Sequence, residues 1–454
     1  LGDVYKRQTF KRAPIDFCSC AKSLAYDSNS SAMAPLLLAS NLLSGSGGVA
    51  RPSVFGRDSS VLSDTPHTMR GTATALRQAA TRFAVYGAPM ELLAKWLEKT
   101  PKKITLPYLL ANGGKPGQPA TENEVLHSAR HVQRELPVRL ARRVRQFYSL
   151  PFIVGTNPYI QTIARLYASS FAALTAFPPI ETLEQNTEFT NKLQELVGWH
   201  SENAPTLARG FMECLEYMNT EQVGRFLNAA LHSRIGIRLI AEQHLALTTS
   251  LCASNTEEMP YKRSQTSVGI IDTQMVVSDV LRGSAEYVQS LCEATFDMAP
   301  EVVFEGATDV RTVGIPMHLD YAMTELLKNS FRATTERHLE RKRAGTAPDT
   351  IPPVRITVAD APSHLTIRIR DEGGGISPEN MSKVFNYSFT TVNHSESEDT
   401  GDVTSGAMLS GMGSLAGLGY GLPLSRLYIG YFGDSDLDIV SLWGHVCNKL
   451  TRDG

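Results

Sequence analysis

The sequence predicts an α plus α/β chain, a bundle of long helices followed by an α/β sandwich. Three observations carry this. Apolar residues recur at helical spacing through the first half. After Leu251 the pattern changes to alternation of apolar and polar residues, the mark of half-buried strands. Within that second half, Tyr321–Thr334, Asp371–Gly375 and Gly417–Leu422 follow in order, as the parts of one nucleotide site would.

The 454 residues suit two or three domains. A net charge of −2 gives no electrostatic reason to expect nucleic acid. An apolar content of 42% is ordinary for a globular chain. The six cysteines (Cys18, Cys20, Cys214, Cys252, Cys292, Cys447) show no zinc spacing, Cys18-Ser-Cys20 being too tight. They fit a reducing compartment. No apolar run reaches the ~18 residues of a membrane helix, so no membrane insertion is expected.

The chain begins with Leu1, and Met33 is a sensible start. From Met33 to Arg57 no acidic residue occurs, and Arg51 and Arg57 stand among Leu, Ala and Ser. That composition suits a mitochondrial transit peptide, or a weakly basic disordered tail. Residues 1–67 are therefore set apart from the folded domains, expected at 68–250 and 251–454.

Residues 68–110 read as helical, with Leu92, Leu93, Trp96 and Leu97 on one face. Asn112-Gly-Gly-Lys-Pro-Gly-Gln-Pro119 is a loop by its turn chemistry. Beyond it Ile160, Ile163, Tyr167, Phe171 and Leu174 trace a helical stripe between Asn157-Pro158 and Phe177-Pro178. Val223, Phe226, Leu227, Ala230 and Leu231 trace a second stripe, and Ile237, Ile240, Ala241, His244 and Leu245 a third. His244 lies on an apolar stripe, which favours a hydrogen-bonded core histidine over a catalytic base. Arg130, Arg134, Arg139, Arg142, Arg143 and Arg145 read as a solvated face, or as a docking surface for an acidic partner. The half reads as an up-and-down bundle.

In the second half, Val302–Phe304, Val354–Val358 and Leu365–Ile369 alternate as strands, with Ala361-Pro362-Ser363 turning between the last two. Helices are expected at about 273–297 and 317–341. The order gives helices over one face of a mixed sheet.

Leu319, Ala322, Met323, Leu326 and Leu327 form one apolar helix face. Glu325 and Asn329, four apart, share a neighbouring face, and Tyr321 extends the row. An amide oxygen suits Mg²⁺, and a carboxylate beside it can accept a proton. Taken alone, the same residues make an ordinary amphipathic helix. Asp371 ends a strand, where its carboxylate can accept from an exocyclic amino group. Gly373 and Gly375 let the backbone turn against a flat base. Gly417-x-Gly419-x-Gly421 opens a helix whose backbone N–H groups suit a phosphate, and Pro423 fits an early position of it.

These segments resemble the nucleotide-binding boxes of the GHKL superfamily, which includes gyrase B, Hsp90, histidine kinases and MutL. Within it they resemble the mitochondrial α-ketoacid dehydrogenase kinases. The residues that carry this are Glu325-Leu-Leu-Lys-Asn-Ser-Phe-Arg-Ala-Thr334, Asp371-Glu-Gly-Gly-Gly-Ile376 and Gly417-Leu-Gly-Tyr-Gly-Leu-Pro-Leu-Ser-Arg426. Upstream, Glu135-Leu-Pro-Val-Arg-Leu-Ala141 and Ser233-Arg-Ile-Gly-Ile-Arg238 resemble the family's helical domain. The resemblance covers roughly residues 68–444.

It implies a GHKL-type kinase domain using ATP and Mg²⁺, with K⁺ an optional further cation. Glu325 would be the general base for a substrate serine, and Asn329 the Mg²⁺ ligand. Arg332 would join the ATP contacts. Asp371 would hold the adenine amino group, and Gly373 and Gly375 would line the base. Thr390 and Thr391 would contact nucleotide just before a flexible lid at 393–416. Gly417, Leu418, Gly419, Tyr420, Gly421 and Leu422 would wrap the triphosphate. The substrate would be the E1α subunit of a 2-oxoacid dehydrogenase complex, inactivated by phosphorylation in the mitochondrial matrix. The helical half would dock the E2 lipoyl domain, and the chain would form a homodimer. Tyr321, Phe389-Thr-Thr391, Ser149–Pro158 and Phe177–Ile180 resemble the branched-chain member more than the pyruvate member.

Other readings fare worse. A sensor histidine kinase needs a phosphoacceptor His followed by Glu on a dimerising helix, and no such box precedes residue 320. A hydrolysis-driven ATPase of this superfamily would carry a transducer domain after the ATP domain. A catalytically dead scaffold sits poorly with Glu325, Asn329 and Asp371 all in place. One departure stands out. After Trp443-Gly444 the family continues with a glycine, an Asp and an apolar strand, whereas here His445-Val-Cys-Asn-Lys-Leu-Thr-Arg-Asp453 follows. The last strand of the sheet is expected to be missing.

Overall fold

Capping chemistry fixes where several helices of the first half begin. The computed structural model describes residues 84–253, 266–362, 364–389, 419–433, 435–442 and 444–453. The segment 1–67, the 393–416 lid, Thr390, Thr391, Gly417 and Leu418 lie outside these residues. A hairpin of β1 (Ala84–Val85) and β2 (Ala88–Pro89) leads into α1 (Met90–Leu97). α2 (Leu106–Ala111) starts at Thr105, whose hydroxyl accepts from Tyr108 N at 3.2 Å. α3 (Glu122–Tyr148) opens with a reciprocal box between Thr121 and Glu124 and continues through a buried Pro137. After the single turn α4 (Phe152–Gly155), α5 (Pro158–Ala176) is capped by Asn157, with Pro158 in its first turn. α6 (Leu183–Trp199) has a second box, Thr182 with Gln185. α7 (Asn203–Met212) and α8 (Thr220–Ala253) complete the bundle.

The stripe from Ile160 to Leu174 is buried throughout. The stripes starting at Val223 and Ile237 belong to one 34-residue helix, α8, which no proline interrupts and which runs through Gly236. His244 is a core histidine. Its Nδ1 lies 3.2 Å from Ser128 Oγ and its Nε2 lies 3.4 Å from Thr190 Oγ1. Burial pushes it down to about 4.

The basic run on α3 is a solvated face at Arg130, Arg134, Arg142 and Arg145, which are exposed, and departs from it at the buried Arg143. Arg130 donates to Ile180 O, Arg139 to Lys102 O, Arg142 to Lys99 O and the buried Arg143 to Ala229 O. The Arg143 guanidinium thereby satisfies a helix carbonyl inside the bundle, which a charge pattern alone does not reveal.

The second half runs β3 (Ser267–Val268), β4 (Ile271–Val276), α9 (Val277–Phe296), β5 (Val302–Gly306), β6 (Arg311–Gly314) and α10 (Pro316–Arg343). Then come β7 (Val354–Ala361), β8 (His364–Gly374), α11 (Pro378–Met381), α12 (Gly421–Ile429), a 3₁₀ turn at Gly430–Phe432, β9 (Ser435–Leu442) and β10 (Gly444–Asp453). The helix expected from about 273 starts later, because β4 pairs with β6 in a three-stranded sheet.

The main sheet has the order β5-β7-β8-β10-β9. β5 is parallel to β7, and the other neighbours are antiparallel. The strand expected to be missing is present as β10, between β8 and β9. Ladder bonds are made by the backbone, so residues unlike the family's can still fill the place. α9 and α10 set Leu281, Val288, Leu326 and Phe331 against Ile356, Ile369 and Leu437.

The described residues lie in one compact unit. Ile271, Ile315, Tyr420 and Leu424 from the second half join the core of the helical half. Tyr387 Oη donates to Asn228 Oδ1 on α8, and Tyr431 stacks on His232 at 4.7 Å.

Candidate nucleotide site

α10 is the spine of the site. Pro316 occupies its first turn, and Leu319, Ala322, Met323, Leu326 and Leu327 face the core. This packing fixes the rotation of the helix and hence the direction of the adjoining polar row. Glu325 on that row is 7% exposed and accepts at Oε1 from Lys328 Nζ at 3.0 Å. Burying a carboxylate is costly without such a partner. Asn329, one turn on, is exposed. Arg332 pairs with Glu336, four residues along the same helix. Tyr321 packs against Tyr428 of α12 with ring centroids 4.5 Å apart.

The second wall is the end of β8. Asp371 is fully buried, and its Oδ1 accepts from Gly373 N at 2.8 Å. Two residues of β8, Glu372 and Gly373, stand opposite the single His445 of β10. The extra residue makes a bulge that bends the strand out of the sheet. Positive φ is found at Gly374 (106°) and Gly375 (86°). Gly373 does not take it and lies in the bulge itself. A Cβ at Gly374 would lie 2.8 Å from Arg337 Nη1, so α10 and this turn are in close contact.

The third wall is the start of α12. Gly419 has φ 71°, and a Cβ there would fall 2.3 Å from Phe389 O. A Cβ at Gly421 would fall 2.2 Å from Glu325 Oε2. Glycine is required at both positions by close approach, and at Gly419 by conformation as well. Gly421 and Leu422 occupy the first turn of α12, where N–H groups have no helical acceptor and suit an anion. The Tyr420 side chain points away from any role in that loop. It is fully buried, 5.3 Å from the Tyr387 ring, so only its backbone is available to a ligand. Leu422 likewise packs on the sandwich core.

α10 therefore touches both glycine turns, at Glu325 and at Arg337. Twelve residues of helix separate these points, about 18 Å at 1.5 Å per residue. The site is elongated, with a carboxylate at one end and a glycine turn beside Asp371 at the other. Among the described residues no group of three or more His, Cys, Asp or Glu could hold a metal by itself. The exposed Asn329 amide suits Mg²⁺, which takes few protein ligands and completes its shell with phosphate and water.

Sequence reasoning assigned no site role to Lys328, Arg337, Phe389 or Ser441. Ser441 Oγ accepts from Ile376 N at 2.8 Å and donates to Ile376 O at 3.2 Å. Lys328 was visible as a residue three from Glu325. Contacts to Arg337, Phe389 and Ser441 arise between segments distant in sequence and leave no local signal.

A family model described as mitochondrial branched-chain alpha-ketoacid dehydrogenase kinase matches residues 103–272. A second, described as the histidine kinase-, DNA gyrase B- and HSP90-like ATPase, matches residues 314–439. A mitochondrial pyruvate dehydrogenase (acetyl-transferring) kinase of Arabidopsis thaliana is 33% identical over 359 residues, covering 78% of this chain and 91% of the relative. The Schizosaccharomyces pombe kinase of that description is 33% identical over 271 residues, 59% of each chain. Human isozyme 1 is 30% identical over 327 residues, 69% of this chain and 70% of the relative.

A helical bundle joined to this ATPase sandwich, together with these matches, defines a protein kinase of the GHKL class. The chain belongs to the mitochondrial α-ketoacid dehydrogenase kinase family. The relatives are pyruvate dehydrogenase kinases and favour that branch, against the branched-chain leaning of Tyr321 and Phe389-Thr-Thr391.

Proposed function

We propose that this chain transfers the γ-phosphoryl group of Mg-ATP to a serine of the E1α subunit of the pyruvate dehydrogenase complex, inactivating it. The observation that carries this reading is the contact between Glu325 and Gly421. It supports the reading because Glu325, the candidate base, approaches the helix start best suited to phosphate. Glu325 Oε2 takes the proton of the substrate hydroxyl as that oxygen attacks phosphorus. Asn329 would hold Mg²⁺, whose chemistry is to neutralise charge on the phosphate oxygens. Gly417 to Leu422 supply backbone N–H groups to the triphosphate. Asp371 accepts from the adenine amino group, Gly373 and Gly375 line the base, and Arg332, Thr390 and Thr391 complete the nucleotide contacts. Catalysis then rests on positioning and charge stabilisation, as phosphoryl transfer requires.

In this reading the helical half docks the E2 lipoyl domain, the kinase works as a homodimer, and its compartment is the mitochondrial matrix. A second reading, branched-chain α-ketoacid dehydrogenase E1α as substrate, is favoured by Tyr321 and by the family model that matches residues 103–272. The test offers purified pyruvate E1 and branched-chain E1, each with its own E2, together with radiolabelled ATP. Label on the pyruvate E1 is expected. Label confined to the branched-chain E1 replaces the first reading by the second, and label on neither overturns both.

A further inference from the structure

We propose that Ser441 is a positioning residue for nucleotide, and that its hydroxyl sets the glycine turn against which the base lies. This rests on the nucleotide reading above and names a residue that reading does not use. In the sheet register Asp371 stands opposite Val446, and Val446 opposite Ser441. The row crosses three strands, so Ser441 sits about 10 Å from Asp371 at ~4.8 Å per strand spacing.

The chain between them takes another route. From Asp371 it leaves β8 through the bulge at Glu372-Gly373, passes the positive-φ residues Gly374 and Gly375, and returns at Ile376 to β9. There the Ser441 hydroxyl engages both main-chain polar groups of Ile376, accepting from N at 2.8 Å and donating to O at 3.2 Å. The turn is thus held at one end by Asp371, which takes the Gly373 N–H, and at the other by Ser441. Two successive glycines with positive φ are a flexible link on their own. Fixing both ends restricts the turn between them, which favours stacking against a flat ring.

Both hydrogen bonds from Ser441 to Ile376 lie at the base end of the site, so its effect is expected on the base. The experiment titrates ATP and Mg-tripolyphosphate into the wild-type chain and into Ser441→Ala, Ser441→Thr and Asp371→Ala. Ser441→Ala is expected to weaken ATP roughly tenfold while tripolyphosphate stays within about twofold, since two neutral hydrogen bonds are lost at the base end only. Ser441→Thr, which keeps the hydroxyl, restores ATP affinity. Amide hydrogen exchange at Ile376 speeds up in Ser441→Ala. Unchanged ATP affinity in Ser441→Ala, with Asp371→Ala weakened, overturns the role of Ser441 and leaves the site standing. Equal weakening of both ligands also overturns it, by showing a general loss of structure. A wild-type chain that binds no ATP, or an Asp371→Ala chain that binds it normally, overturns the nucleotide reading itself.

Discussion

Lys328 Nζ stands 3.0 Å from Glu325 Oε1, and both side chains are less than one-tenth exposed. The other carboxylate oxygen, Oε2, faces the Cα of Gly421 at the start of α12. The two oxygens therefore have different surroundings. One is held by an ammonium group, and the other looks toward the place where a phosphate would sit. A carboxylate near a helix N-terminus is itself favoured by the helix dipole.

Replacement of Glu325 by Gln keeps the shape and removes the proton acceptor. Glu325→Gln is expected to retain ATP binding and to lower kcat by roughly 10²–10⁴, the range for a positioned general base. Single-turnover transfer to E1α with ATP saturating is the measurement. Transfer at the wild-type rate would remove Glu325 from that role.

Lys328→Met leaves the Glu325 carboxylate buried without its cation. Breaking a buried pair from one side costs roughly 3–5 kcal/mol, so the urea midpoint should fall clearly. The double change Glu325→Gln with Lys328→Met removes both charges, and most of the loss should be recovered. If the two losses simply add, the pair is not coupled in the folded chain.

The parts of the site legible in sequence were those compressed into short local patterns. Glu325 and Asn329 lie on one helix face because four residues make about one turn. Asp371 could be placed near a strand end from alternation alone. What escaped was set by distant packing. Alternation and glycine spacing do not tell that the bulge at Glu372-Gly373 puts positive φ at Gly374 and Gly375. Tyr420 lies between two loop glycines, and nothing local says that its ring enters the core beside Tyr387. β10 was expected to be absent because its residues differ from the family's, whereas strand pairing depends on the backbone. The stripes of α5 and α8 were clear, because a 3.6-residue repeat survives any tertiary context.

Gly419→Ala tests the close approach of the two loops. The residue has φ 71°, and an added Cβ would sit 2.3 Å from Phe389 O, a backbone atom with little room to yield. Ser388, just before it, is also left-handed at φ 63°, so this crossing already holds strained backbone. ATP binding is expected to be lost or weakened at least about tenfold, with a smaller change in thermal stability, since loops are forced apart while the core remains. Isothermal titration beside a melting curve separates the two effects. Wild-type affinity would show that the loops part freely.

Acid should unfold this chain earlier than its carboxylates alone would predict. His200, His244 and His318 are each pushed down to about 4, chiefly by burial. In the unfolded chain a histidine takes up its proton near pH ~6.5. Unfolding therefore binds protons between about pH 6.5 and 4. Stability from these groups is complete above the upper limit, declines as pH falls through the window, and is level again below it. Each group contributes a slope of up to about 1.4 kcal/mol per pH unit. Urea unfolding at pH 7.5, 6 and 5 should show the decline, and His244→Gln should reduce its slope by about one proton. An unfolding free energy that stays flat across this window would mean that these imidazoles reach solvent in the folded chain.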